Sequence, residues 1–305
     1  MDLDLKRIDE ASRTIDPVFL HTPQYEDDGL NAALGRRVLV KVETLNPIRS
    51  FKGRGADWYL RGFPPGKTLV CASSGNFGQA MAYGGRARGV PVEVFAPGDL
   101  NPTKKARMET FGAQVIMVEG DGAAAKEAAA ARAAADPGRV FVEDGREAAI
   151  AEGAGTIGVE LMAAGPFDTL VLPVGDGALI SGVARWVKAH APAVRVIGVC
   201  AEKATAMFQS WRAGEPRPTE RAETIADGIS ISRPIADSVA RMRELVDDIV
   251  LVPDEAMLAM MDRVARLLGV LPEPAGVAGL TALSLHDLPG ERAATVITGA
   301  NPRPA

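Results

Sequence analysis

The stretch Asn46-Pro47-Ile48-Arg49-Ser50-Phe51-Lys52-Gly53-Arg54-Gly55-Ala56 sets a lysine between an aromatic residue and a glycine-flanked helix start. That setting suits an amine kept for covalent chemistry. The apolar ring of Phe51 desolvates Lys52, and Gly53 leaves room for a flat ring beside it. Alone, Ser50-Phe51-Lys52 is a weak signal, since most lysines are solvated surface charges. Two further loops add weight to it. Ser73-Ser74-Gly75-Asn76-Phe77-Gly78 follows a β-rich run and opens a helix, and so does Gly175-Asp176-Gly177-Ala178-Leu179-Ile180-Ser181-Gly182.

Outward from these loops, short β-rich runs at 68–72, 92–96, 114–118 and 140–143 alternate with helical stretches ending near Arg88 and covering about 102–111 and 123–135. The pattern resumes at 169–174, 194–199, 249–252 and 294–298. The runs are apolar on both faces, as strands covered by helices on both sides should be. Repeated β-loop-α units predict an α/β fold with parallel sheets. The alanine density of 123–135 reflects helix propensity, and the polar stretch 212–219 reads as a surface excursion. The change of domain is expected near 41–46 and again near 144–149. This makes residues 1–45 and 146–305 a large domain, with 46–145 a smaller α/β domain inserted into it.

The chain has 305 residues, which suits one large domain or two smaller ones. At 47% hydrophobic and 24% charged it has an ordinary soluble composition, and a net charge of -5 offers no nucleic-acid surface. No apolar run is long enough to cross a bilayer, and the start, Met1-Asp2-Leu3-Asp4-Leu5-Lys6-Arg7, does not read as a secretory signal. Cys71 and Cys200, the only cysteines, sit in apolar strand-like runs and read as buried thiols. The expected location is the cytoplasm, with neither membrane nor nucleic acid as partner.

The loop 175–182 follows a strand and opens a helix, so its N–H groups would face an anion with the helix dipole behind them. It fails the dinucleotide spacing G-x-G-x-x-G, because Ile180 stands at the third glycine position. Alone it reads better as an ordinary glycine-bearing βα turn. The loop 73–78 can bind a carboxylate through serine hydroxyls and free amides, while Asn76 can donate to a phenolate-like ring oxygen. A helix cap by Ser74 or Asn76 would use the same groups. Thr298 ends the last β-run, where a hydroxyl can bond a pyridine nitrogen without protonating it. A neutral partner there makes a weaker electron sink than a carboxylate would and favours prompt loss of a leaving group. Reactive lysine, anion loop and phosphate cradle together imply pyridoxal 5′-phosphate rather than a nucleotide. His21, His190 and His286 lie outside these loops and at no metal-ligand spacing.

With these residues in hand, the chain resembles the fold-type II pyridoxal-phosphate enzymes of the tryptophan synthase β-like superfamily, in particular the threonine/serine dehydratase and serine racemase group, from about Thr22 to Asn301. The resemblance implies two open parallel twisted-sheet domains with the cofactor between them, in a homodimer. It makes Lys52 the Schiff-base lysine, next to Phe51, and Ser74 a second catalytic residue. Ser73, Ser74, Gly75, Asn76 and Phe77 correspond to the substrate loop, with Asn76 also reaching the cofactor's O3′. Gly175, Asp176, Gly177, Ala178 and Leu179 correspond to the phosphate loop. Thr224-Ile225-Ala226-Asp227-Gly228 and Glu273-Pro274-Ala275-Gly276 match segments beside the cofactor: Gly228 contacts it, while Asp227 and Glu273 line the site. Thr298-Gly299-Ala300-Asn301 matches the strand end that presents the ring-nitrogen partner.

Three departures stand out. Phe77 replaces a histidine common in the group. Asp176 interrupts a loop usually of glycines only, and its side chain is expected to point away from the phosphate or to accept a backbone bond. Cys200 and Ala206 stand where metal-dependent members carry acidic ligands, so no metal is expected. The function implied is an ammonia-lyase, removing water from threonine or serine to give a 2-oxo acid and ammonia. Amino-acid racemisation is the alternative, followed by threonine synthase or β-replacement chemistry, a catalytically silent metabolite-binding protein, and a nicotinamide-dependent oxidoreductase.

Overall fold

The computed structural model describes residues 1–301. Its strands are β1 (Gln24–Tyr25), β2 (Arg37–Val42), β3 (Thr68–Ala72), β4 (Val92–Pro97), β5 (Gln114–Val118), β6 (Arg139–Phe141), β7 (Thr169–Pro173), β8 (Arg195–Ala201), β9 (Asp248–Val252) and β10 (Arg292–Ile297). Its α-helices are α1 (Leu5–Thr14), α2 (Asp28–Leu34), α3 (Lys52–Arg61), α4 (Asn76–Arg88), α5 (Pro102–Thr110), α6 (Gly122–Ala134), α7 (Ala148–Ala163), α8 (Ala178–His190), α9 (Ala206–Ala213), α10 (Ala236–Leu245), α11 (Asp254–Leu268) and α12 (Ala278–Leu285).

The strands form two sheets. One has six strands in the order β1-β2-β10-β7-β8-β9, and the other four in the order β5-β4-β3-β6. Every pairing is parallel except β1 with β2. The fold is therefore the two-sheet α/β arrangement expected, with one antiparallel edge that the β-rich runs did not include. The central strands β7, β8 and β10 are buried on both faces, with Leu170, Val171, Leu172, Val196 and Val199 inaccessible. Burial of each such side chain is worth about 1.5–3 kcal/mol. β5 departs from the two-faced apolar expectation: Gln114 and Met117 are exposed, because the strand is an edge paired only with β4.

Local chemistry starts the helices. Asp4 accepts from the Lys6 N–H at α1, Asp27 from Leu30 at α2, and Asp121 from Ala123 and Ala124 at α6. At α5, Asn101 caps and Pro102 fills the first turn.

A buried ionic network anchors α3. Arg54 donates to Glu43, just past β2, at 2.8 Å and to Glu160 of α7 at 2.7 Å, while Lys41 of β2 lies 2.5 Å from Glu160. Thr22 donates to Glu43 at 2.5 Å. These residues hold the first turn of α3, and with it Lys52, against the large sheet. Both cysteines are buried and unpaired, and burial pushes each thiol up to about 12. Among the described residues no helix is long and apolar enough to cross a membrane.

Candidate active site

Parallel strands deliver their carboxyl ends to one side of a sheet, and ligands bind there. The residues that follow β3, β4, β6, β7 and β10 line a single cleft of about 850 Å³. Phe51, Lys52, the loop 73–77, the loop 175–179, Asp227, Gly228, Glu273 and Thr298 all face it. The segments singled out in sequence are thus brought to one place.

Lys52 is the first residue of α3, with Phe51 at the N-cap. Its ammonium lies 4.8 Å from the Phe51 ring centroid and 6.0 Å from that of Phe77. The segment before it is pinned to the end of β10. The Phe51 N–H donates to the Thr298 carbonyl at 3.1 Å, and the Ala300 N–H to the Arg49 carbonyl at 3.0 Å. Arg49 takes a positive φ of 53° there, a conformation costly for a side-chain-bearing residue. The partner of the Lys52 ammonium is Asp144. Sequence reasoning missed it, although Asp144 lies just beyond the carboxyl end of β6, where such groups collect.

At the loop 73–78 the capping expectation is corrected. Gly75 is the N-cap of α4 and makes no side-chain cap bond. Ser73 performs the capping instead: its Oγ accepts from the Gly75 N–H at 3.1 Å and the Gly78 N–H at 3.0 Å. Two loop amides are therefore already used. The N–H groups of Asn76 and Phe77 remain for an anion, since the first helical bond runs from Gln79 to the Gly75 carbonyl. Ser74, exposed and lining the cleft, finds no hydrogen-bond partner among the described residues. Asn76 donates one amide hydrogen to Glu273 Oε1 at 2.7 Å and accepts from Asn301. The second hydrogen is left for a ligand. Burial pushes the Glu273 carboxyl up to about 7, against the opposing bonds from the Asn301 N–H and Asn76. Phe77 is buried in the cleft wall.

The loop before α8 is shaped for an anion. Gly177 sits at φ 88°, and a Cβ there would lie 1.9 Å from Ser238 Oγ. The first bond within α8 runs from Ser181 to the Gly177 carbonyl, which leaves the N–H groups of Ala178, Leu179 and Ile180 without helical partners. Gly228 covers the loop closely, its carbonyl 2.4 Å from where a Gly175 Cβ would stand. Asp176 does not turn away as expected: it faces the cleft and accepts no backbone bond among the described residues. Thr298 follows β10 directly, rather than ending it, and faces the cleft. Asp227 is placed at the mouth, paired with Lys104 of α5.

Cys200 is buried in β8 and Ala206 opens α9. Among the described residues no group of three or more His, Cys, Asp or Glu side chains is placed to hold a metal. The histidines take no part in the cleft: His286 bonds the Leu251 carbonyl, His190 the Trp186 carbonyl, and His21 is exposed. A lysine amine, a cradle of free amides at a helix start, a hydroxyl just past a strand end and a side-chain amide in the same cleft fit the pyridoxal phosphate expected from sequence.

Comparison with known proteins agrees. A family model described as pyridoxal-phosphate dependent enzyme matches residues 15–299. The chain is 33% identical to L-threonine ammonia-lyase of Thermotoga maritima over 98% of this chain and 76% of that protein. It is 30% identical to serine racemase of Oryza sativa subsp. indica, over 92% and 83%. The solved structure of a threonine deaminase from T.th. superposes with a TM-score of 0.92 at 32% identity, covering 99% of each chain.

Proposed function

We propose, on the premise that this chain belongs to the family of pyridoxal-phosphate dependent enzymes, that it is an ammonia-lyase removing water from a small β-hydroxy amino acid, with release of a 2-oxo acid and ammonia. Bound pyridoxal phosphate supplies an electron sink for the substrate's α-carbon. The observation that carries the reading is that Lys52 lines one cleft together with the loops 73–77 and 175–179, within the family match. Lys52 holds the cofactor and, once the substrate amine displaces it, takes the α-proton. The 73–77 loop orients the substrate carboxylate through the Asn76 and Phe77 N–H groups and the Ser74 hydroxyl, with Ser73 bracing the loop. Phe77 gives the pocket an apolar wall, so L-threonine is the better substrate of the two. The test is kcat/KM for L-threonine and L-serine with 2-oxo acid release as readout. Activity on neither amino acid would overturn the dehydratase assignment and leave the cofactor assignment standing. A cytoplasmic homodimer is part of the same reading, supported by two unpaired buried thiols and by large apolar side chains left open at Leu45 and Leu271.

Racemisation is the second reading, favoured by one observation: the Ser74 hydroxyl faces the cleft with no protein partner among the described residues. If Ser74 only helps to bind the carboxylate, Ser74→Ala raises KM and retains turnover of the L-substrate. If it moves a proton on the opposite face, the variant loses D-isomer turnover and racemisation by about 10²–10⁴-fold. Chiral analysis of residual substrate separates the two.

Thr298 is assigned to the ring nitrogen. Thr298→Asp is expected to slow elimination and alter the visible spectrum, because a carboxylate would keep the ring protonated and hold electrons there. Unchanged rate and spectrum in both Thr298→Asp and Thr298→Ala would remove Thr298 from this role.

A further inference from the structure

Asp176 stands inside the loop that would hold the cofactor's phosphate, and its backbone is fixed on two sides. Ser238 Oγ donates to the Asp176 carbonyl at 2.5 Å. Gly145, at φ 80°, packs so closely that a Cβ there would lie 2.3 Å from the same carbonyl and 3.0 Å from the Asp176 Cβ. Arg241 of α10 locks this contact by donating to the Gly145 carbonyl at 2.8 Å and the Arg146 carbonyl at 2.7 Å. The Asp176 side chain is thus held toward the cleft.

Its surroundings are crowded with charge, and Asp144 raises its carboxyl by repulsion. Asp144 and Glu143 approach from beyond β6, Lys52 from the start of α3 and Lys126 from α6. Both lysines are already taken, Lys52 by Asp144 and Lys126 by Glu143. Asp144 is only 8% exposed along its side chain, and its second oxygen, Oδ1, is buried without a partner among the described residues. Arg146 also pairs with Glu143, at 3.0 Å, so each of these cations is engaged by Asp144 or Glu143, and Asp176 has no ion-pair partner among the described residues where a phosphate would enter. Two anions in contact there would repel each other strongly.

We infer that Asp176 is carried as the neutral acid in the cofactor-bound protein and donates its O–H to the phosphate, acting as a cofactor-positioning residue that ties phosphate affinity to pH. Burial, followed by the charge of Asp144, pushes this carboxyl up to about 7, against the pull of Lys52 and Lys126. The sign follows: the acid form persists below about 7 and is lost as pH rises through it. Ionisation would place a carboxylate against the phosphate and weaken its hold. The inference rests on the family's cofactor and not on the elimination reaction, so a failed lyase assay leaves it untouched.

The experiment is equilibrium dialysis of the full-length holoenzyme at pH 6, 7, 8 and 9, reading released pyridoxal phosphate for wild type and Asp176→Asn. The amide mimics the neutral acid and cannot ionise. Schiff-base formation and phosphate titration are common to both proteins, so the ratio of the two dissociation constants isolates Asp176. That ratio, wild type over variant, should rise on the order of tenfold or more between about pH 6 and about pH 9. A ratio that stays flat or falls overturns the inference. Asp176→Gly, which restores a glycine at this position, serves if the amide variant does not fold, and the same rising ratio is expected of it.

Discussion

Replacing Lys52 with alanine is expected to lower lyase turnover by about 10²–10⁴-fold or more, because one residue is asked both to hold the cofactor and to move the α-proton. The loss should fall on kcat, since the loops at 73–78 and 175–179 remain to bind substrate and phosphate. In the wild-type protein, borohydride followed by peptide mapping should place the pyridoxyl label on Lys52. In Lys52→Ala the cofactor should bind without becoming fixed to the chain. Turnover within tenfold of wild type, or a label on another lysine, would remove Lys52 from the centre of the mechanism. The Asp144 contact gives the experiment a second use. With the ammonium gone, Asp176 loses the cation that pulls on it most strongly while Asp144 still repels it, so Lys52→Ala should release the cofactor more readily at high pH than at low.

The largest stability effect is expected at Arg54→Ala. Arg54 is fully buried and bonds both Glu43 and Glu160. Its removal leaves two carboxylates against Lys41 alone. Breaking a buried ion pair by removing one partner typically costs about 3–5 kcal/mol. Urea unfolding measures this as a shift in midpoint at unchanged slope. A loss below about 1 kcal/mol, the size of an exposed pair, would show that the network is not buried in solution. The pH dependence carries a definite sign. Burial pushes the Glu160 carboxyl up, but Arg54 and Lys41 pull it down from its ordinary 4.5 to about 2. A depressed carboxyl contributes stability that is fully present above its unfolded value and is lost as pH falls through the folded one. The gap between wild type and Arg54→Ala should therefore narrow between pH 4.5 and pH 2.

These two predictions differ in how far the sequence alone supports them. That Lys52, Asn76, Gly177 and Thr298 would share one cleft was legible because each lies at or next to a strand-to-helix junction or a strand end, where parallel strands bring their loops together. Alternating apolar runs and helical stretches sufficed for parallel α/β sheets, because burial on both faces leaves its mark residue by residue. The antiparallel β1 was not legible, since two residues carry no period. Nor was the exposed face of β5, because edge position depends on which strand is absent from its side.

The partners of the site residues were decided only in three dimensions. Lys52 meets Asp144 across 92 residues, and Asn76 meets Glu273 across 197. Arg54 meets Glu160 across 106, although nothing in its local sequence sets it apart from a surface arginine. Whether Ser73 or Ser74 would brace the loop was equally open, since both are serines at neighbouring positions. In the fold both line the cleft, but Ser73 is held by the Gly75 and Gly78 N–H groups while Ser74 stays free of protein partners among the described residues. Asp176 shows the same division. Its place in the loop before α8 could be read from the chain, but its orientation depends on Ser238 and Gly145, brought in from two distant segments. Local sequence specifies which groups stand at the ends of strands. The charge each group meets there, and so its protonation, depends on long-range packing.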